Sequence, residues 1–223
     1  MDFNFSPLFI SLRVAGVATF VTFFIGLYAA HKISDFKKGR AFFDSIFTLP
    51  LILPPTVLGF FLLLIFGRNS TIGAFLQSIG VNIVFSWIGA VVASSVVAFP
   101  LMYRTSLGAF EQIDENVINS AKTLGLSKLK IFWFIKVPMA KSGILAGTIL
   151  AFARALGEFG ATIMVAGNIP DRTQTMAVAV FSAVMAGNRE LAYIWVMIIL
   201  TVSVILITLM NYFAKKRWNS DPC

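Results

Sequence analysis

Five stretches of this sequence, at about 8–30, 46–66, 83–103, 137–165 and 192–214, are each apolar over about 20 residues, the length a helix needs to cross the hydrocarbon core of a bilayer. Lipid offers no hydrogen bonds, so such runs must satisfy their own backbone groups, and a helix does so within one segment. The composition agrees: 58% of residues are hydrophobic and 13% charged, against about 45–50% and about 25% in a soluble domain. The 23 phenylalanines suit helix faces that meet lipid. The expected fold class is an all-α integral membrane protein, a single transmembrane domain over 1–223 with its core at about 8–214. A further apolar run, 176–186, has eleven residues. It is too short to span and reads as a short or re-entrant helix, with a tilted sixth span as the alternative.

The basic residues set an orientation. Net charge is +8, which in a soluble chain would point to nucleic acid. Here 13 of the 18 Lys and Arg residues share one expected side. Four lie in 31–40, six from the end of the third segment to the start of the fourth (Arg104, Lys122, Lys128, Lys130, Lys136 and Lys141), and three in the tail at Lys215, Lys216 and Arg217. The opposite loops carry Arg68, Arg172 and Arg189, while Arg13 and Arg154 lie within apolar segments. Positive loops stay in the cytoplasm. The N-terminus is therefore expected outside, and the 104–137 loop and the basic tail 215–223 inside, against lipid headgroups. The charge is a topology signal, and no nucleic acid partner is expected.

The N-terminal "MDFNFSP" lacks a basic region and a following cleavage site, so the first segment is expected to remain as an anchor. One cysteine, Cys223, forms neither an internal disulfide nor a cysteine metal cluster, and no metal site is expected. His31 closes the first segment and reads as a solvated interfacial residue rather than a ligand or proton carrier. Segment two opens with "TLPLILPPTVLGF", carrying Pro50, Pro54 and Pro55. Each proline lacks an N–H and disrupts the preceding turn. Irregular backbone at membrane depth survives only beside protein or a water cavity. The segment reads either as lying inside the bundle along a path or as a kinked packing helix.

"NSAKTLGLSKLKIFWFIKVP", 119–138, is a basic interruption between apolar runs. Val117, Ile118, Ala121 and Leu124 recur at helical spacing, and Gly125 then stops or bends the helix. Ser127 can cap a second helix. Its lysines are expected to face water and headgroups, with Ile131, Phe132, Phe134 and Ile135 toward membrane or bundle. Pro138 is expected to open the next span, where a missing N–H is harmless. The object is a cytoplasmic helix–bend–helix elbow; the plain alternative is an ordinary amphipathic loop.

The spacing resembles the "EAA" loop of membrane subunits of ATP-binding-cassette importers, which reads E-A-A, three residues, G, nine residues, then I-x-L-P. Here Asn119, Ser120 and Ala121 are followed by Gly125, then Ile135, Lys136, Val137 and Pro138. Asn119 stands where glutamate is usual, Ser120 for alanine and Val137 for leucine. The stretches "AFARALGEFGATIMVAGNIPDRTQT", "LPLILPPTVLGF" and "FPLMYRTSLGAF" look like molybdate permease subunits, and sulfate permeases share the "LGEFGA" core. The resemblance implies a type I importer permease fold with five transmembrane helices, or six. It implies an elbow at Asn119, Ser120, Ala121, Leu124, Gly125, Ile135 and Pro138 that docks into a cleft on an ATPase subunit. It further implies import of molybdate or tungstate, with sulfate as the alternative, and an external molybdate-binding protein. The sequence holds no G-x-x-x-x-G-K-[ST], so ATP and Mg are expected on two partner ATPase subunits. Five helices are few for a closed pathway, and a two-fold homodimer completes it.

Arg154 and Glu158 are spaced i,i+4 and can pair on one helix face. Charges at membrane depth are expensive unless paired or hydrated. The pair reads as a structural salt bridge, or as a transient positive field beside the path. Reversing both charges is expected to preserve more transport than losing either one. Gly157 and Gly160, with Gly167 nearby, allow close approach or unwinding, and join Pro50, Pro54 and Pro55 as candidate pathway or gate residues. Asp171, Arg172, Thr173 and Gln174 are candidates for contact with a binding protein, or a solvated loop. An intramembrane enzyme lacks support, because the six aspartates avoid the apolar centres and His31 is alone. A passive channel would leave the elbow spacing unexplained.

Overall fold

The computed structural model describes the backbone of residues 4–36 and 39–218 and side chains as far as Leu209. Lys37, Lys38, Cys223 and the side chains of Lys215, Lys216 and Arg217 lie outside the described residues. The chain runs α1 (Ser6–Ser34), α2 (Arg40–Ile52), α3 (Pro55–Phe66), α4 (Thr71–Ser78), α5 (Trp87–Glu111), α6 (Glu115–Thr123), α7 (Lys128–Ile131), a π turn (Phe132–Lys136), α8 (Val137–Met139), α9 (Lys141–Leu156), α10 (Gly160–Ala166), α11 (Met176–Met185) and α12 (Arg189–Trp218). All regular structure among the described residues is helical. Among the described residues, α1, α5 and α12 are the continuous helices long and apolar enough to span; the segments at 46–66 and 137–165 are broken.

α5 is the centre. Over half of its apolar window, 56%, is buried, against 33% in α1 and 11% in α12. It packs on α1, α9 and α10. α1 buries one stripe, Ala15, Ala18, Thr22, Gly26, Ala29 and Ile33, at the three- and four-residue spacing of a helix face. Small residues let the helices approach closely, as in membrane bundles: a Cβ on Gly26 would meet Met102 Cγ at 2.9 Å. Phe9, Phe20, Phe24 and Phe42 are exposed on the outside, as expected for lipid-facing rings.

The first break follows from its prolines. Residues before proline are pushed out of the helical region, and Leu53 and Pro54, each followed by proline, are extended at ψ 139° and 135°. α2 and α3 therefore diverge by 111°, and Pro55 occupies the first turn of α3. Of the two readings of this segment, the kinked packing helix describes the protomer: α2 has no buried residue, whereas α3 buries Leu58, Gly59 and Leu62 against α10. The second break, 157–159, separates α9 from α10. α11 spans about 15 Å at 1.5 Å per residue, short of the ~30 Å core, and starts with Met176 N donating to Ser11 Oγ at 2.8 Å.

Candidate functional site

The elbow forms as the residue order requires. Asp114 caps α6 by accepting from Asn116 N at 2.8 Å, and Glu115 in the first turn complements the helix dipole. At the other end Leu126 N donates to Ala121 O at 3.2 Å and Gly125 N to Lys122 O at 3.0 Å. That bond pair is a Schellman stop, which needs a left-handed residue; Gly125 supplies it at φ +76°. Ser127 Oγ then accepts from Lys130 N at 3.4 Å and starts α7.

The elbow has two faces. Outside, Asn119, Ser120 and Gly125 are exposed, and three apolar side chains stand in the open: Leu124 at 82%, Phe134 at 77% and Leu129 at 69%. Inside, Ala121, Ile131, Phe132 and Lys136 are buried, with Ile135 half-buried. Two expectations are corrected here. Lys136 does not face water: its Nζ donates to Asp35 Oδ1 at 2.7 Å. Nor does Pro138 open the span. It is exposed within α8, and the chain turns by 76° only between Met139 and Lys141.

Two further ties hold this end of the bundle together. Asp44 of α2 accepts from Tyr103 Oη at 2.9 Å and from Arg104 at 2.6 Å, and Arg40 pairs with Glu111. The C-terminal end of α1, the start of α2, the C-terminal end of α5 and the elbow thus share one side. Sequence reasoning missed these pairs. Their members lie 59 to 101 residues apart, and no local spacing announces them.

The breaks of the two interrupted segments meet. A Cβ on Gly160 would lie 3.0 Å from Pro55 Cβ and 3.2 Å from Thr56 N, so the N-termini of α3 and α10 touch there. Gly157 is exposed and open, with no such contact, and Pro50 lies inside α2. Gly160→Ala should therefore force α3 and α10 apart, lowering stability by about 1–2 kcal/mol; thermal unfolding in detergent checks this, with Gly157→Ala as the unaffected control. Arg154 Nη1 and Glu158 Oε2 pair at 2.6 Å, but not on one helix, because α9 ends at Leu156. Glu158 is 2% exposed. Its second oxygen accepts from Ala161 N at 2.7 Å, so one carboxylate ties the last turn of α9 to the first turn of α10.

At the opposite end Asp171 is left-handed at φ +61° and accepts from Asn4 Nδ2 at 2.8 Å. Asp171 and Arg172 are exposed. With Arg13, whose guanidinium sits 4.2 Å over the Trp87 ring, they line a cavity of about 390 Å³. Thr173 is fully buried, its hydroxyl accepting from Ile169 N at 3.0 Å. It shapes the turn from within and offers no surface to a docking protein. Gln174 is half-buried and donates to Asn168 at 2.8 Å.

Comparison with known proteins fits this architecture. The profile of the family described as "Binding-protein-dependent transport system inner membrane component" matches residues 22–219. The putative molybdenum transport system permease protein YvgM of Bacillus subtilis is 44% identical over 215 residues, 96% of this chain and 93% of that one. The molybdenum transport system permease protein ModB of Escherichia coli is 39% identical over 191 residues, 85% of this chain and 83% of its own. The inward-facing MetNI methionine ABC transporter superposes with a TM-score of 0.74 over 94% of each chain at 16% identity, a likeness of fold alone. Apolar helices of spanning length and these matches together make the chain a member of the binding-protein-dependent transport system inner membrane components.

Proposed function

We propose that this chain is the membrane subunit of an ATP-driven importer that carries molybdate, with tungstate as the chemically nearest second cargo, into the cytoplasm. It works as a two-fold homodimer with two ATPase subunits and an external molybdate-binding protein, in a bacterial cytoplasmic membrane. The observation that carries the reading is likeness to molybdenum permeases over nearly the whole length, 44% over 96% of the chain. The elbow supports it. Its exposed apolar tip at Leu124 and Leu129 is a surface that a partner's cleft would cover. No phosphate-binding P-loop is present in the sequence, so ATP and Mg sit on the partner chains. The bias of basic residues toward the elbow end supports an outside N-terminus and a cytoplasmic C-terminus. The whole chain, 1–223, acts as one permease domain.

Deleting the chain in its host is expected to lower cellular molybdenum at trace external molybdate by at least tenfold. Excess molybdate should restore it, and sulfur uptake should be untouched. Normal molybdenum with impaired sulfur uptake would instead assign the sulfate alternative.

A further inference from the structure

The outer face of the elbow accounts for docking, but its inner face carries a feature that docking does not use. Lys136 is only 7% exposed. A buried ammonium persists only when paired, and its pairing is specific. Nζ donates to Asp35 Oδ1 at 2.7 Å and to Ser34 Oγ at 3.4 Å, both at the C-terminal end of α1. One turn earlier Phe132 lies against His31 of α1, with ring centroids 4.3 Å apart, and 6.1 Å from Phe110 of α5.

The backbone is built to present these two side chains. Phe132 and Lys136 are the first and last residues of the π turn, closed by Val137 N donating to Phe132 O. Pro138 explains the widening. It lacks an N–H, and in a regular α turn its ring would crowd the carbonyl of Phe134. Wider turns of this kind recur at functional positions in helices.

We infer that the Lys136–Asp35 pair, seated beside Phe132 on His31, is the strap through which the elbow moves the first transmembrane helix. Lys136 is thus a positioning residue for coupling. α1 is a suitable recipient. It is unbroken from Ser6 to Ser34 and packs along α5 and α9, so displacement of its C-terminal end is delivered along the bundle. The pair is asymmetric. Asp35 is 60% exposed at its side chain and stays solvated alone, whereas Lys136 without Asp35 is a buried cation lacking a counter-charge. The inference rests on the reading of the chain as an importer driven by separate ATPase subunits.

The test uses the complete importer in lipid vesicles: this chain with its ATPase and binding protein, measuring molybdate imported per ATP hydrolysed. Asp35→Asn should lower that ratio at least fivefold, with hydrolysis rate and subunit co-purification within twofold of the unmodified protein. The double variant Asp35→Asn/Lys136→Met removes the buried cation and keeps its bulk, and such apolar replacements usually preserve folding. It should assemble fully and remain uncoupled. An unchanged ratio in Asp35→Asn would overturn the inference. So would recovery of the ratio in the double variant, because a contact that only holds the fold is satisfied by apolar packing. An unmodified complex that hydrolyses ATP without importing molybdate would overturn the molybdate-importer reading itself, before any variant is compared.

Discussion

Gly125→Pro is expected to abolish transport, by at least tenfold, and to release the ATPase subunits on purification. Proline fixes φ near about −65°, and Gly125 sits at +76°. The substitution also deletes the N–H that donates to Lys122 O at 3.0 Å. The Schellman stop cannot form, and α6 and α7 lose their relative direction. Gly125→Ala separates the two effects. It keeps the N–H and meets no atom within 4 Å, so only left-handed strain remains, about 1–2 kcal/mol. Gly125→Asn should be milder, because asparagine tolerates this conformation. Transport and co-purification should fall in the order Gly, Asn, Ala, Pro. The permease itself should still insert, since the bend is exposed and outside the packed core. Equal activity across the four would remove the bend from the coupling mechanism.

Glu158→Ala is expected to have the second large effect. It leaves Arg154 without its partner at 2.6 Å and Ala161 N without its acceptor at 2.7 Å. Breaking a buried pair costs about 3–5 kcal/mol, and the partial exposure of Arg154, 30% at the side chain, points to the lower end. Glu158→Gln keeps an acceptor for Ala161 and should fall between. Exchanging the two charges is the informative variant. From i,i+4 spacing alone, the exchange should rescue. With the second bond known, it should not, because an arginine at position 158 has nothing to offer the Ala161 N–H. Thermal unfolding in detergent and vesicle transport should place the exchange near Glu158→Ala. Full rescue would mean that pairing alone matters and that the first turn of α10 holds without this tie.

The sequence by itself determined the features whose causes lie within a few residues. Apolar runs of spanning length became helices, because lipid leaves the backbone no other partner. Gly125 ended α6 and Ser127 started α7, as turn and cap chemistry require. Consecutive prolines at 54 and 55 broke the second segment. What escaped depended on where distant segments came to rest. Lys136 counted as one more cytoplasmic charge until Asp35, 101 residues away, was beside it. Gly160 was one of three permissive glycines until Pro55 lay against it. Glu158 was half of a helical pair until α9 stopped at Leu156 and its second oxygen held the first turn of α10. Hydropathy, capping and backbone preference are properties of short stretches. Which charge is buried, and which glycine is crowded, is decided only when helices pack, because burial belongs to the neighbours and not to the residue.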